Sequence, residues 1–212
     1  FKGHIEAQAP FIIQLSKGAR KYAGTKMLEA IIRACDEEFP EAIYAVHLDH
    51  GDEKTCYDCI DSGFYSSFMI DASHEKFETN IRLTKQVVAL AHRKGIAVEA
   101  ELGTIGDAED VASARKIIYT DPAKAKEFAE QTGCDFLAVA IGTSHGAYKF
   151  AGNPALRQDL LEQIRKKVSV PLVLHGASGV SPSVVKIAEK YGADLSGVRG
   201  VPDMQIKTAI RN

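Results

Sequence analysis

Three histidines in this sequence share one kind of setting. His50 ends the apolar run at 42–48, His145 follows the run at 136–141, and His175 follows the run at 171–174. Each stands directly before a glycine: Gly51, Gly146 and Gly176. A single histidine is more often a satisfied core or surface residue than a ligand. Three at strand ends suit a tetrahedral zinc ion that keeps its fourth position open, the catalytic arrangement. The glycines have a separate use, because a residue without a Cβ lets backbone N–H groups come close to an anion such as phosphate.

Carboxylates accompany the imidazoles. Asp49 adjoins His50 and can either move a proton on a bound substrate or orient the neighbouring ring. Asp71 and Glu101 close adjacent strand-like runs, where they could form an additional metal position or support the ligands from behind. The acidic, glycine-containing stretch LGTIGDAEDVASARK offers Glu109 or Asp110 as a loop base, although such a run is more often a solvated loop. Among the other histidines, His47 reads as a packed core residue. His4, His74 and His92 fall in helical segments, as caps or solvated groups. Zinc, carboxylates and glycine cradles together suit ene-diolate chemistry on a phosphorylated sugar, in which a metal polarises a carbonyl and carboxylates move protons.

These groups need elements to hold them. Apolar, β-branched runs at 11–15, 42–48, 67–70, 97–102, 136–141 and 171–174 alternate with longer stretches of helical periodicity. In TKMLEAIIRACDEEF the periodicity puts Met27, Ile31 and Ile32 on one side, and a later helix groups Ile81, Val88 and Leu90. Asp121-Pro122 opens another helix and Gly133 stops it. Continuous apolar strands are buried on both faces, which predicts a parallel sheet covered by helices. All six runs end in groups able to do chemistry: Ser16, Asp49/His50, Asp71, Glu101, His145 and His175. An open sheet gathers its site at one switch point, whereas a (β/α)8 barrel collects it from many strand ends. The barrel fits better. Six βα units fall short of eight, so the reading is an α/β (β/α)8 TIM barrel, incomplete, as a single domain over 1–212 with a first and a last strand missing from this chain.

Composition narrows the function classes. The 212 residues carry a formal charge of −2, with 45% hydrophobic and 25% charged residues. A near-neutral chain without a basic run gives no support to a nucleic-acid partner. No apolar segment reaches the roughly 20 residues that span a bilayer, so no membrane association is expected. Cys56 and Cys59 form C-Y-D-C inside an expected helix at 53–62, without a second ligand pair. They read as helix-face thiols in a reducing, cytoplasmic setting rather than a zinc clip or redox pair.

The motifs HLDHG, EAELG, AIGTSHGAYKF and LHGASGV, in that order, closely resemble the class II, metal-dependent fructose-bisphosphate aldolases. SKGARKYAG and MIDASHEKFETN are similar to further segments of that family. The resemblance runs through essentially the whole chain. It implies a (β/α)8 barrel, usually a homodimer or homotetramer, and zinc-dependent reversible cleavage of fructose 1,6-bisphosphate. By the same resemblance His50, His145 and His175 are the zinc ligands, and Asp71 and Glu101 bind a second or alternative metal position. Asp49 exchanges the C4-hydroxyl proton, and Glu109 is the loop residue for proton exchange on the ketone fragment. Gly146, Lys149, Gly176 and Ser178 surround the ketose-end phosphate, Ser16 contacts substrate, and a monovalent cation, Na+ or K+, sits in the glycine region. The family's N-x-D-T-D strand end, which completes its phosphate site, lies beyond Asn212.

Three other readings compete with this one. Tagatose 1,6-bisphosphate, the C4 epimer, would be cleaved by the same machinery. A zinc hydrolase on a similar barrel would commonly carry an H-x-H pair on an early strand, which this chain lacks. A non-catalytic truncated barrel would have no need of competent residues at every family position within 1–212.

Overall fold

A computed structural model describes residues 1–105, 118–145, 155–195, 198 and 200–212. The chain divides into two compact units, Phe1–Ala100 with Thr132–Asp135, and Glu101–Gln131 with Phe136–Asn212.

In the first unit, strands β1 (Phe11–Ser16), β2 (Tyr44–Gly51), β3 (Ser67–Ile70) and β4 (Ala97–Leu102, its first four residues belonging here) lie side by side in chain order. Every pairing is parallel. Helices carry the chain back between strands: α1 (Lys2–Glu6) precedes β1, α2 (Lys17–Ala23) and α3 (Thr25–Glu38) follow it, then α4 (Glu53–Ser62) and α5 (Phe77–His92). In the second unit β5 (Phe136–Val139) pairs in parallel with β6 (Leu172–Val173). Helices α6 (Pro122–Thr132), α7 (Gln158–Arg165), α8 (Pro182–Lys190) and α9 (Asp203–Arg211) complete the described elements.

The continuous apolar strands are buried as their composition requires. Leu48, Phe68, Met69, Val98, Leu137 and Val139 are fully buried. Helix starts follow local chemistry. The Asp121 carboxylate accepts from the backbone N–H of Ala123 and Lys124 at 2.8 and 2.9 Å, and Pro122 is the first residue of α6. Gly133 then takes the left-handed conformation, with φ of 69°, that ends the helix.

The helix faces depart from expectation in two places. On α3, Ile32 is buried but Met27 and Ile31 are exposed. Residues 27 and 31 share one face, and residue 32 lies about 100° round the helix, so the three cannot all face the core. On α5 the buried stripe is Ile81, Thr84, Val87, Val88 and Ala91, and Leu90 falls off it. His74 stands in the turn before α5, not in a helix. His92 does end α5, where its Nε2 lies 2.9 Å from the Asp135 carboxylate. That same carboxylate oxygen accepts the Val98 backbone N–H at 2.7 Å.

The four cysteines are free thiols, and Cys56 and Cys59 are fully buried on α4. Burial raises both, Cys59 to about 11, so neither is a thiolate at neutral pH. Among the described residues, no helix is long and apolar enough to cross a membrane.

Phe68 at the centre of β3 is fully buried. Phe68→Ala is expected to lower stability by about 3–5 kcal/mol, read as the shift of the urea midpoint at constant slope.

Candidate metal and sugar-phosphate site

The first unit brings four of the candidate residues to the ends of three neighbouring strands. The β1–β2 register sets Ser16 opposite Asp49, and Gly51 of β2 stands opposite Ile70, the residue before Asp71. Between Leu48 and Gly51 the β2–β3 register shifts. Within that irregularity His50 has φ of 48°, the left-handed region that a non-glycine residue enters only at a cost of about 1–3 kcal/mol. Such a bulge re-aims side chains at a strand end.

With Asp49 nearby, Asp71 holds the His50 ring. Its Nδ1 lies 2.8 Å from Asp71 Oδ2, and its Nε2 lies 3.8 Å from Asp49 Oδ1. Asp71 Oδ1 accepts from the backbone N–H and the hydroxyl of Ser73, at 3.1 and 2.7 Å. Burial alone would raise the Asp71 carboxyl, but the hydrogen bonds from His50 and Ser73 outweigh it and hold the group well below the usual carboxylate range. An ionised Asp71 accepts a hydrogen bond from Nδ1–H, so Nε2 is the ring nitrogen open to a ligand. This carboxylate–imidazole pairing is the one that metal-ligating histidines show.

Packing follows from the next residue. A Cβ on Gly51 would meet Leu48 Cδ2 at 2.4 Å and the Met69 carbonyl oxygen at 3.0 Å. The Asp71 backbone N–H also donates to the Gly51 carbonyl at 2.8 Å. Ser16 caps α2, its hydroxyl accepting from the Ala19 N–H at 3.1 Å. Deeper on β2, His47 is buried with Nδ1 2.8 Å from Ser67 Oγ and Nε2 3.6 Å from Glu99 Oε2. It packs beneath the strand end.

In the second unit the rings of His145 and His175 lie 5.9 Å apart, tilted by 42°. His175 is buried at the C-terminal end of β6. The glycine after it is required by packing: Gly176 has φ of 64°, and a Cβ there would stand 2.4 Å from the Ser144 carbonyl oxygen. The two histidine-bearing turns therefore pack backbone against backbone. Glu101 is buried at the end of β4. Beyond it Thr120 fastens the strand end, donating to the Leu102 carbonyl and accepting from the Ala140 N–H at 2.8 Å. Ser178 is exposed, and its carbonyl accepts from the Val201 N–H at 3.1 Å. Glu109, Asp110, Gly146 and Lys149 lie outside the described residues. His50 and Asp71 in the first unit, and Glu101, His145 and His175 in the second, are each of a residue type that ligates divalent cations.

Sequence comparison now decides the family. The profile of the fructose-bisphosphate aldolase class-II family matches residues 1–212. The chain belongs to that family. It is 45% identical over 212 residues to a fructose-bisphosphate aldolase of Giardia intestinalis, covering 99% of this chain and 65% of that protein. A fructose-bisphosphate aldolase of Helicobacter pylori is 42% identical over 205 residues, covering 95% of this chain and 66% of the relative. The crystal structure of an aldolase from Escherichia coli K12 aligns with a TM-score of 0.68 at 36% identity, over 94% of this chain and 67% of that one. The chain thus spans slightly less than two thirds of the length of these two relatives. Its fold class is α/β, an incomplete (β/α)8 barrel of which the described residues supply six strands.

From sequence alone Asp71 is a support for the ligands without an indication of which one it holds, and Asp52 is not singled out. Asp71 as the partner of His50 joins residues 21 apart, and only the strand register reveals it. Asp52 did leave a signal, since the D-x-x-T spacing before a helical run marks an N-cap. Its Oδ1 accepts the Thr55 N–H at 2.8 Å and the Thr55 hydroxyl at 2.6 Å, and its Oδ2 pairs with Lys17. The Lys17 ammonium, with Thr55, holds the Asp52 carboxyl down to about 2.

Gly176→Ala is expected to destabilise the fold by about 1–3 kcal/mol, because it combines a left-handed φ with a backbone clash. Urea unfolding of the variant measures the loss.

Proposed function

We propose that the protein is a zinc-dependent aldolase that reversibly cleaves fructose 1,6-bisphosphate to dihydroxyacetone phosphate and glyceraldehyde 3-phosphate. The observation that carries this reading is the His50–Asp71 hydrogen bond at 2.8 Å, which leaves Nε2 as a ligand atom beside the Asp49 carboxylate. Membership of the class-II family supports it independently.

In this reading His50, His145 and His175 hold the zinc through imidazole nitrogens, with Asp71 orienting His50. Glu101 and Asp71 serve a second or alternative metal position. A zinc ion bound there supplies a Lewis acid for the negative charge that develops on the ketone oxygen. Asp49 takes the C4-hydroxyl proton in cleavage and returns it in condensation, and Glu109 exchanges the proton on the ketone fragment. A positioned acid or base of this kind contributes typically about 10²–10⁴-fold to the rate. Ser16, Gly146, Lys149, Gly176 and Ser178 bind the substrate and its phosphate, with a monovalent cation (Na+ or K+) in the glycine region. We infer a single barrel domain over 1–212, a homodimer or homotetramer in the cytoplasm, and no nucleic-acid or membrane partner.

The test is aldol cleavage by the full-length natural protein before and after EDTA, with zinc then added back. Activity should be lost and restored, and Asp49→Ala should lose about 10²–10⁴-fold in kcat while retaining its zinc. Zinc-dependent cleavage of tagatose 1,6-bisphosphate alone would change the substrate and keep the mechanism. No turnover of either sugar by the zinc-loaded protein would overturn the assignment.

A further inference from the structure

His50 holds a backbone conformation uncommon outside glycine, at φ of 48°, and contacts on both sides of it keep the chain there. On the ring side Asp71 does this. On the chain side the next residue but one is Asp52, the N-cap of α4. One of its oxygens takes both the backbone N–H and the hydroxyl of Thr55. The other pairs with Lys17, the first residue of α2, directly after Ser16. Asp52 therefore ties the turn after β2 to its own helix and to the turn after β1, where Ser16 stands opposite Asp49.

We propose that Asp52 is a positioning residue for the metal site, fixing the turn that keeps His50 in its left-handed, ligating conformation. The proposal rests on the reading of His50 as a zinc ligand. Of its two attachments, the cap carries more. The Lys17–Asp52 pair is half exposed on both sides, at 59% and 49%, and exposed ion pairs contribute little. A side chain that served α4 alone would change stability and leave metal binding untouched.

The experiment measures the zinc dissociation constant of the metal-depleted protein by competition with a chromophoric chelator, alongside the thermal midpoint. Asp52→Ala should weaken zinc about tenfold, the low end of the loss seen when a group hydrogen-bonded to a ligand is removed, because Asp52 acts through the turn. Asp52→Asn keeps an oxygen acceptor for the Thr55 N–H and should restore most of the affinity. Asp52→Gly guards against misfolding, since glycine is tolerated at a helix N-cap. It should weaken zinc as Asp52→Ala does. A folded Asp52→Gly or Asp52→Ala that binds zinc like the unaltered protein, whatever its thermal midpoint, overturns the proposal and leaves the zinc reading standing. An unaltered protein that binds no zinc overturns both.

Discussion

The hydrogen bond between His50 Nδ1 and Asp71 Oδ2 is the contact on which the proposed zinc chemistry rests. It places a proton on Nδ1, because an ionised carboxylate held by Ser73 can only accept, and so leaves Nε2 as the ring nitrogen available to a metal. It also helps to offset a left-handed backbone at His50 that would otherwise relax. Strain of this size survives only where the surroundings over-determine it. Here those surroundings are a shifted register between β2 and β3, the packing of Gly51 against Met69, and the cap made by Asp52.

The glycines that follow the histidines acquire a second meaning in the structure. Close approach of an anion is one reason to omit a Cβ, but Gly51 and Gly176 have a nearer one. A Cβ at Gly176 would overlap the Ser144 backbone, and one at Gly51 would crowd the Leu48 side chain and the Met69 carbonyl. A turn that must place an imidazole and also press backbone on backbone leaves glycine as the residue that fits. The packing use stands on the coordinates, and the phosphate use belongs to the functional proposal.

Much of this was legible in the residues, and what was not has a physical explanation. The strand runs were readable because burial on both faces demands uninterrupted apolar, β-branched residues, and β3 and β4 form over the expected residues. The α6 start was readable from Asp121-Pro122, a local signal. The strand-end candidates could be named because chemistry and position coincide in this fold class. Facing directions were harder: Met27, Ile31 and Leu90 are apolar but lie off the buried stripes, and only packing decides which face of a weakly periodic helix is covered. The His50 φ value and the Asp71 pairing arise from register between strands, which no single run of residues encodes.

The central claim is that three imidazoles, His50 among them, hold the zinc. X-ray absorption spectroscopy at the zinc edge on the stoichiometrically loaded protein tests it directly. Three imidazole nitrogens at about 2.0–2.1 Å plus one light oxygen ligand are expected, with one imidazole fewer in His50→Ala. A sulfur shell near about 2.3 Å, or a spectrum unchanged by His50→Ala, would contradict it.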